Sequence, residues 1–263
     1  MKVEFILVGA VSLEKLLSSV SLTKYIIFSL GCVGALFLMK DFGTALIFFF
    51  TFVLIAFMRS GDIRTIALIC TVALMGAALI IYFKPYVANR FAAYRHVWDF
   101  IDTTGYQQTR VLIYSASGGL FGLGIGEGKL RDVYAASTDL VFGLICEEMG
   151  LLIGLAVLLS FAAIAFFAIR SAKTAASTFY AIAAVSAAGM LLFQLSLNVF
   201  GITDILPLTG VTLPFVSRGG SSMICSWGLL AYIRAAGAPF EPPKPDVAVK
   251  KAVKKAAPKG GAA

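Results

Sequence analysis

The chain has 263 residues, 59% of them hydrophobic and 14% charged, with a mean hydropathy of +0.91; soluble domains run near about 45–50% and about 25%. No water-soluble fold of this size hides that much apolar surface, so most of the chain is read as embedded in lipid, and a disordered chain, a disulfide scaffold and a typical cytosolic enzyme are excluded. The net charge of +8 is tail-heavy, with six lysines after Pro239 against Glu241 and Asp246, which points to a membrane-proximal cytoplasmic tail and away from nucleic acid.

Seven apolar runs are expected to cross the bilayer, near 3–17, 25–39, 44–58, 65–83, 140–169, 175–200 and 221–233, since a span needs about 20 residues. The fold class is therefore all-α, a polytopic transmembrane helical bundle. Lys15 and Lys24, Arg59 and Arg64, Arg170 and Lys173, and Arg234 with the lysine tail mark alternate connections. The positive-inside rule places all four in the cytoplasm. Residues 1–238 form the membrane domain and 239–263 a basic, unstructured tail. An odd number of spans leaves Met1 on the outer face with no leader to carry it there, so either a span is miscounted or the chain lacks part of its front. Cys32, Cys70, Cys146 and Cys225 have neither metal-ligand nor CxxC spacing and read as packing residues.

The outer stretch near 84–138 exceeds fifty residues, and long connections of this kind are usually functional. It carries Arg90, Arg95 and Arg110 among interfacial aromatics, and Val97, Phe100 and Ile101 at helical spacing predict an amphipathic helix lying on the leaflet. His96, the chain's one histidine, reads as a solvated interfacial residue. The run Ser117-Gly-Gly-Leu-Phe-Gly-Leu-Gly-Ile-Gly-Glu-Gly128 lacks the strand and βαβ context of a dinucleotide site and reads as tight turns. Thr138 or Asp139 is expected to cap the apolar helix that follows; capping alone would account for Asp139. Glu147 and Glu148 fall at membrane depth, where a carboxylate marks either a buried polar bond or a direct part in a site; both readings stay open. The Pro- and Gly-interrupted stretch 198–222 is tolerated at that depth only in protein or at a polar cavity. Ser221 and Ser222 are expected to cap the last helix, whose N-terminus beside Arg218 is either a plain re-entrant turn or a contact for a phosphate.

Taken together, Asp41-Phe-Gly-Thr-Ala45, Gly105-Tyr-Gln107, Gly118-Gly-Leu-Phe-Gly-Leu-Gly124, Thr138-Asp139 with Glu147-Glu-Met-Gly150, and Leu206-Pro-Leu-Thr-Gly-Val-Thr-Leu-Pro-Phe-Val-Ser-Arg-Gly-Gly-Ser-Ser222 resemble the membrane family for shape, elongation, division and sporulation that comprises RodA, FtsW and SpoVE. Two departures are visible. Tyr134-Ala-Ala-Ser-Thr-Asp139 stands where the family usually carries Pro-Glu-x-His before Thr-Asp, and Arg218 stands where it often carries Tyr.

The resemblance implies a ten-span glycosyltransferase of the bacterial plasma membrane, of which this chain would lack about three N-terminal spans. It implies polymerisation of glycan strands from lipid II at the outer face, by inverting single displacement, in division, elongation or sporulation. The implied partners are a class B penicillin-binding protein and other divisome or elongasome membrane proteins. Asp139 maps onto the essential acid and would be the general base. Arg90, Arg95, Arg110 or Arg218, or a divalent cation such as Mg or Mn, would meet the pyrophosphate; no ligand set for a metal is indicated. Gln107, Thr138, Pro214, Ser217, Ser221 and Ser222 would contact substrate, with Asp41, Thr44, Glu147, Glu148 and Asn198 as supporting polar groups. A lipid II flippase predicts charge threading several spans, which these spans largely lack. A non-catalytic membrane scaffold is the other alternative.

Overall fold

The computed structural model of the protein describes residues 2–14, 19–39, 41–60, 64, 67, 70–71 and 94–238. Most of the run at 65–83, Arg90 and the tail at 239–263 lie outside the described residues. The described residues form helices and turns without a strand. The long helices are α1 (Lys2–Glu14), α2 (Ser19–Leu38), α3 (Phe42–Ser60), α4 (Tyr106–Ser117), α5 (Val141–Glu148), α6 (Leu151–Lys173), α7 (Thr178–Ile202) and α8 (Gly220–Ala236).

Helix α7 is the axis of the assembly. Its 25 residues give about 37 Å at 1.5 Å each, enough to cross a hydrocarbon core of about 30 Å. It packs against α1, α3, α6 and α8, and its apolar window is 72% buried within the chain, against 17% for α6. The sequence explains the difference. Helix α7 alternates Ala, Ser and Gly with large residues, so neighbours approach closely: the position of a Cβ on Gly189 would lie 2.3 Å from Leu54 of α3, and Phe193 stacks on Phe50 at 4.2 Å between ring centroids. Helix α6 is Leu- and Phe-rich on all sides and leaves Leu155, Leu159, Phe166 and Ile169 exposed, the pattern of a helix whose outer face meets lipid tails.

The expected single span at 140–169 is two helices. Gly150, at φ 87°, breaks it after Met149. The glycine run threads through this break: Leu123 and Gly124 N–H donate to the carbonyls of Glu147 and Glu148, while Leu151 and Leu152 N–H donate to those of Gly119 and Leu120. A Cβ on Gly150 would stand 2.3 Å from Leu120 O, and one on Gly122, at φ 83°, 2.3 Å from Glu148 O. Backbone therefore packs on backbone where no side chain fits. Gly150→Ala is expected to cost about 3 kcal/mol through strain and overlap, whereas Gly34→Ala, with nothing within 4 Å, is expected to be neutral or slightly stabilising. Thermal unfolding of the two variants in detergent checks the contrast.

Two expected caps are corrected. Helix α5 begins after Leu140, which supplies no side-chain cap, so Thr138 and Asp139 stand ahead of the cap position. Helix α8 begins after Gly219, also uncapped by a side chain, with Ser221 and Ser222 already inside its first turn. The expected amphipathic helix around residues 97–101 is a single 3-10 turn, Val97–Phe100, in which Val97 is buried and Phe100 and Ile101 are exposed. Helix α4 follows it, burying Gln108, Thr109 and Val111. The four cysteines are free.

Candidate functional site

One end of the bundle gathers the polar residues. The start of α3, the end of α7 and the start of α8 meet there around the irregular segment 203–219. Asp41 accepts from Thr44 N–H at 3.0 Å through Oδ1, so this pair closes the first turn of α3. Gly43 packs directly under Thr209 and Val211. The opposite end holds Arg170, Lys173 and Arg234 in the last turns of α6 and α8, brought together where Ser171 lies against Gly237.

The segment carrying Asp139 is fixed by its backbone. Three successive carbonyls accept from three different groups: Ser137 O from Arg218 N–H at 2.9 Å, Thr138 O from the Ser217 hydroxyl at 2.5 Å, and Asp139 O from Asn198 Nδ2 at 2.8 Å. Ser217 Oγ also accepts from Leu213 N–H at 2.7 Å, and Asn198 Nδ2 also donates to Val211 O at 2.7 Å. From the near side, the N–H groups of Thr138, Asp139 and Leu140 all converge on Ala135 O, where Ala135 adopts φ 66°. Asn198 and Ser217 are buried. Such donors cost little to hold in place and fix the position of whatever the segment presents.

What it presents is the Asp139 carboxylate, half-buried. Its Oδ2 lies beside Gly210, where a Cβ would stand only 3.3 Å away. A carboxylate held this way on a rigid segment, at the rim of an apolar bundle, can take a proton from a hydroxyl brought to it.

The other expected site residues fall into three groups. Thr138, Ser217, Asn198 and, through its backbone, Arg218 meet at the segment 137–139. Pro214 is buried in the same loop, and Ser222 reaches that loop through Thr212, 3.1 Å between hydroxyl oxygens. Ser221 is exposed at the same helix start. Gln107 joins from α4 by donating to Tyr134 O at 3.3 Å. Arg95 and Arg110 stand elsewhere. Arg95, at φ 61°, donates through its N–H to Asp204 Oδ1 at 3.3 Å, and its guanidinium lies 5.6 Å from the Tyr94 ring. Arg110 lies 5.3 Å from the Tyr106 ring, its Nε buried without a hydrogen bond. Arg90 is outside the described residues. His96 is exposed, 3.7 Å from Asp99.

Glu147 is the most buried of the expected polar groups, at 1% exposure. Both its oxygens accept from backbone, Oε1 from Lys129 N–H at 2.8 Å and Oε2 from Leu130 N–H at 3.0 Å, where the chain turns into the 3-10 segment Leu130–Asp132. Glu148 is half-buried, with Oε1 unpartnered.

Among the described residues no three His, Cys, Asp or Glu side chains gather as a cation cage, so these side chains do not fit a divalent ion held by the protein alone. Two residues not expected from the sequence belong to the picture. Arg131 borders a recess of about 190 Å³ together with Ser137, just ahead of Asp139. Gln194 lies one turn before Asn198 on α7 and donates to Thr212 O at 2.7 Å; its spacing of four from Asn198 inside an apolar run is visible in the sequence. A separate apolar cavity of about 450 Å³ opens between α4, α5 and the start of α6, lined by Leu112, Phe142, Cys146 and Leu151, without Asp139.

A helical membrane bundle with a clamped acid at one rim and cations at the other end defines the class: a polytopic integral membrane protein. The comparisons place it further. Residues 1–237 match the model of the FtsW/RodA/SpoVE cell cycle protein family. The chain is 30% identical over 201 residues to the peptidoglycan glycosyltransferase RodA of Mycobacterium tuberculosis, covering 76% of this chain and 43% of that protein. It is 30% identical over 201 residues to stage V sporulation protein E of Bacillus subtilis, covering 74% and 55%. It is 35% identical over 189 residues to the probable peptidoglycan glycosyltransferase FtsW of Buchnera aphidicola, covering 70% and 47%. The chain thus spans about half the length of these relatives. A chain of a solved peptidoglycan synthase complex, described as coordinating polymerization and crosslinking, superposes with a TM-score of 0.67 at 26% identity, covering 89% of this chain and 68% of that one. The chain belongs to the FtsW/RodA/SpoVE family.

Proposed function

We propose that the chain polymerises peptidoglycan glycan strands from lipid II, with Asp139 as the general base. The observation that carries this reading is the triple clamp on the carbonyls of Ser137, Thr138 and Asp139. Three donors placed on three successive carbonyls of the segment that ends in Asp139 make sense when the position of its carboxylate matters. Relatives named as peptidoglycan glycosyltransferases support the same chemistry.

Glycosyl transfer from a polyprenyl-pyrophosphate sugar needs a deprotonated acceptor hydroxyl and a neutralised leaving group. In this reading Asp139 removes the proton from the acceptor 4-hydroxyl as that oxygen attacks the anomeric carbon, and the pyrophosphate departs toward cations of the outer face, of which Arg218 adjoins the clamp. One base and no covalent sugar intermediate give inversion. The clamp end of the bundle faces the outside and the Arg170–Lys173–Arg234 end the cytoplasm, which the positive-inside rule supports. The partner is a class B penicillin-binding transpeptidase, in keeping with the synthase complex on whose chain this fold superposes.

The test is polymerisation of purified lipid II by the chain reconstituted in liposomes with such a transpeptidase. Glycan polymer resolved on a gel supports the proposal. Lipid II translocation without polymer would establish the transport alternative instead, and neither activity would leave a scaffold.

A further inference from the structure

The chemistry proposed for Asp139 uses Asn198 but leaves Gln194 without a part, although Gln194 is 1% exposed and fully engaged. Its Oε1 accepts from Lys2 Nζ at 2.8 Å. Its Nε2 donates to Thr212 O at 2.7 Å and lies 3.3 Å from Thr212 Oγ1, which in turn contacts Ser222 Oγ at 3.1 Å. One turn along α7, Asn198 holds the neighbouring carbonyl, Val211 O, and Asp139 O. Two amides on one helix face therefore grip two successive carbonyls of the loop, and the lower one also grips the acid's own residue.

From this we infer that Gln194 is a positioning residue for Asp139. It acts through the loop: Gln194 fixes Thr212, the next residue Leu213 is tied by its N–H to Ser217 Oγ, Ser217 donates to Thr138 O, and Arg218 N–H to Ser137 O. The loop is thereby braced on the helix that anchors Asp139, and the two halves of the clamp move as one. Lys2 assigns the amide's sense. By donating to Oε1 it leaves the NH₂ group, and not the oxygen, facing the Thr212 carbonyl. No bond is made or broken by Gln194; its effect is on where the carboxylate stands. The functional half of this inference rests on the reading of Asp139 as a base. The geometric half does not.

Two variants separate the effects. Gln194→Glu keeps the volume and the Lys2 contact but, ionised, cannot donate to Thr212 O. Gln194→Leu loses both contacts. Hydrogen exchange on the full chain in lipid nanodiscs is the first readout. The amides of Leu213, Ser217 and Arg218 and those of Thr138, Asp139 and Leu140 are expected to lose protection together, by roughly fivefold to tenfold, the loss of about one hydrogen bond, while the last turns of α6 and α8 stay as in the unmodified chain. Protection at Thr138, Asp139 and Leu140 that stays within twofold in both variants overturns the inference. Lipid II kinetics are the second readout: kcat is expected to fall by on the order of tenfold to a hundredfold, as for a small misplacement of a reacting group, with KM within twofold. A rise in KM at unchanged kcat also overturns it. An unmodified chain that makes no polymer defeats the reading of Asp139, while the exchange comparison still decides the positioning.

Discussion

Asp139→Asn is expected to lower the rate of lipid II polymerisation by about 10²- to 10⁴-fold, the range that a positioned general base contributes, with expression, membrane insertion and thermal stability unchanged. The reason for the clean separation lies in how the segment is held. Arg218, Ser217 and Asn198 all donate to backbone carbonyls at residues 137–139, and those carbonyls survive the substitution. Asn has nearly the same shape as Asp but no basic oxygen able to carry a proton at neutral pH. Asp139→Glu keeps the base and moves it outward by one methylene, so it should retain partial activity with a lowered kcat. Polymer formed from purified lipid II, resolved by length, and detergent-solubilised melting curves for the same preparations check both statements. Polymerisation by Asp139→Asn within about tenfold of the unmodified chain would remove Asp139 from the chemistry.

The sequence and the structure part company where backbone makes the decisions. Apolar runs locate α1, α3, α7 and α8 to within a few residues, because the length of a span and its missing charges are properties of side chains. The break between α5 and α6 is hidden in the same signal: apart from Glu147 and Glu148 the run from Val141 to Ile169 is apolar, and the helix ends where Gly150 takes a positive φ with the Leu120 carbonyl packed against it. Asp139 is legible as an acid in an unusual place, but its clamp is not, since three of its bonds end on carbonyls that every residue possesses. The same blindness produced the misplaced caps. Thr138 and Ser221 have the composition of cap residues, yet the Thr138 hydroxyl turns back onto Ala135 O and Ser221, with Ser222, already lies inside the first turn of α8. Arginines were the least legible. Charge in the outer stretch does not say where a guanidinium turns: Arg95 lies over the Tyr94 ring and Arg110 over the Tyr106 ring.

Glu147 is the second acid of the segment, and its environment assigns it the opposite task. Asp139 is half-exposed at a rim, whereas Glu147 is sealed, with each oxygen taking one backbone N–H from residues 129 and 130. Those two donors open a 3-10 turn and have no helix to satisfy them. Removing the carboxylate strands both in the interior. Glu147→Ala is therefore expected to cost about 3–5 kcal/mol, more than a side chain of that size contributes by packing alone, and to lower the midpoint of thermal unfolding in detergent by about 10 °C. Glu147→Gln should fall between: its oxygen still accepts one N–H, but its NH₂ faces the other donor, so one bond is lost and one contact turns repulsive. Trp98 and Trp227 fluorescence on heating reads the transition. A direct part in transfer predicts the reverse pattern, with polymerisation lost at an unchanged midpoint, and that result would move Glu147 from the scaffold into the site. The contrast between the two acids turns on what their donors hold: backbone donors fix the residue that carries the Asp139 carboxylate, whereas the Glu147 carboxylate is itself what holds the donors.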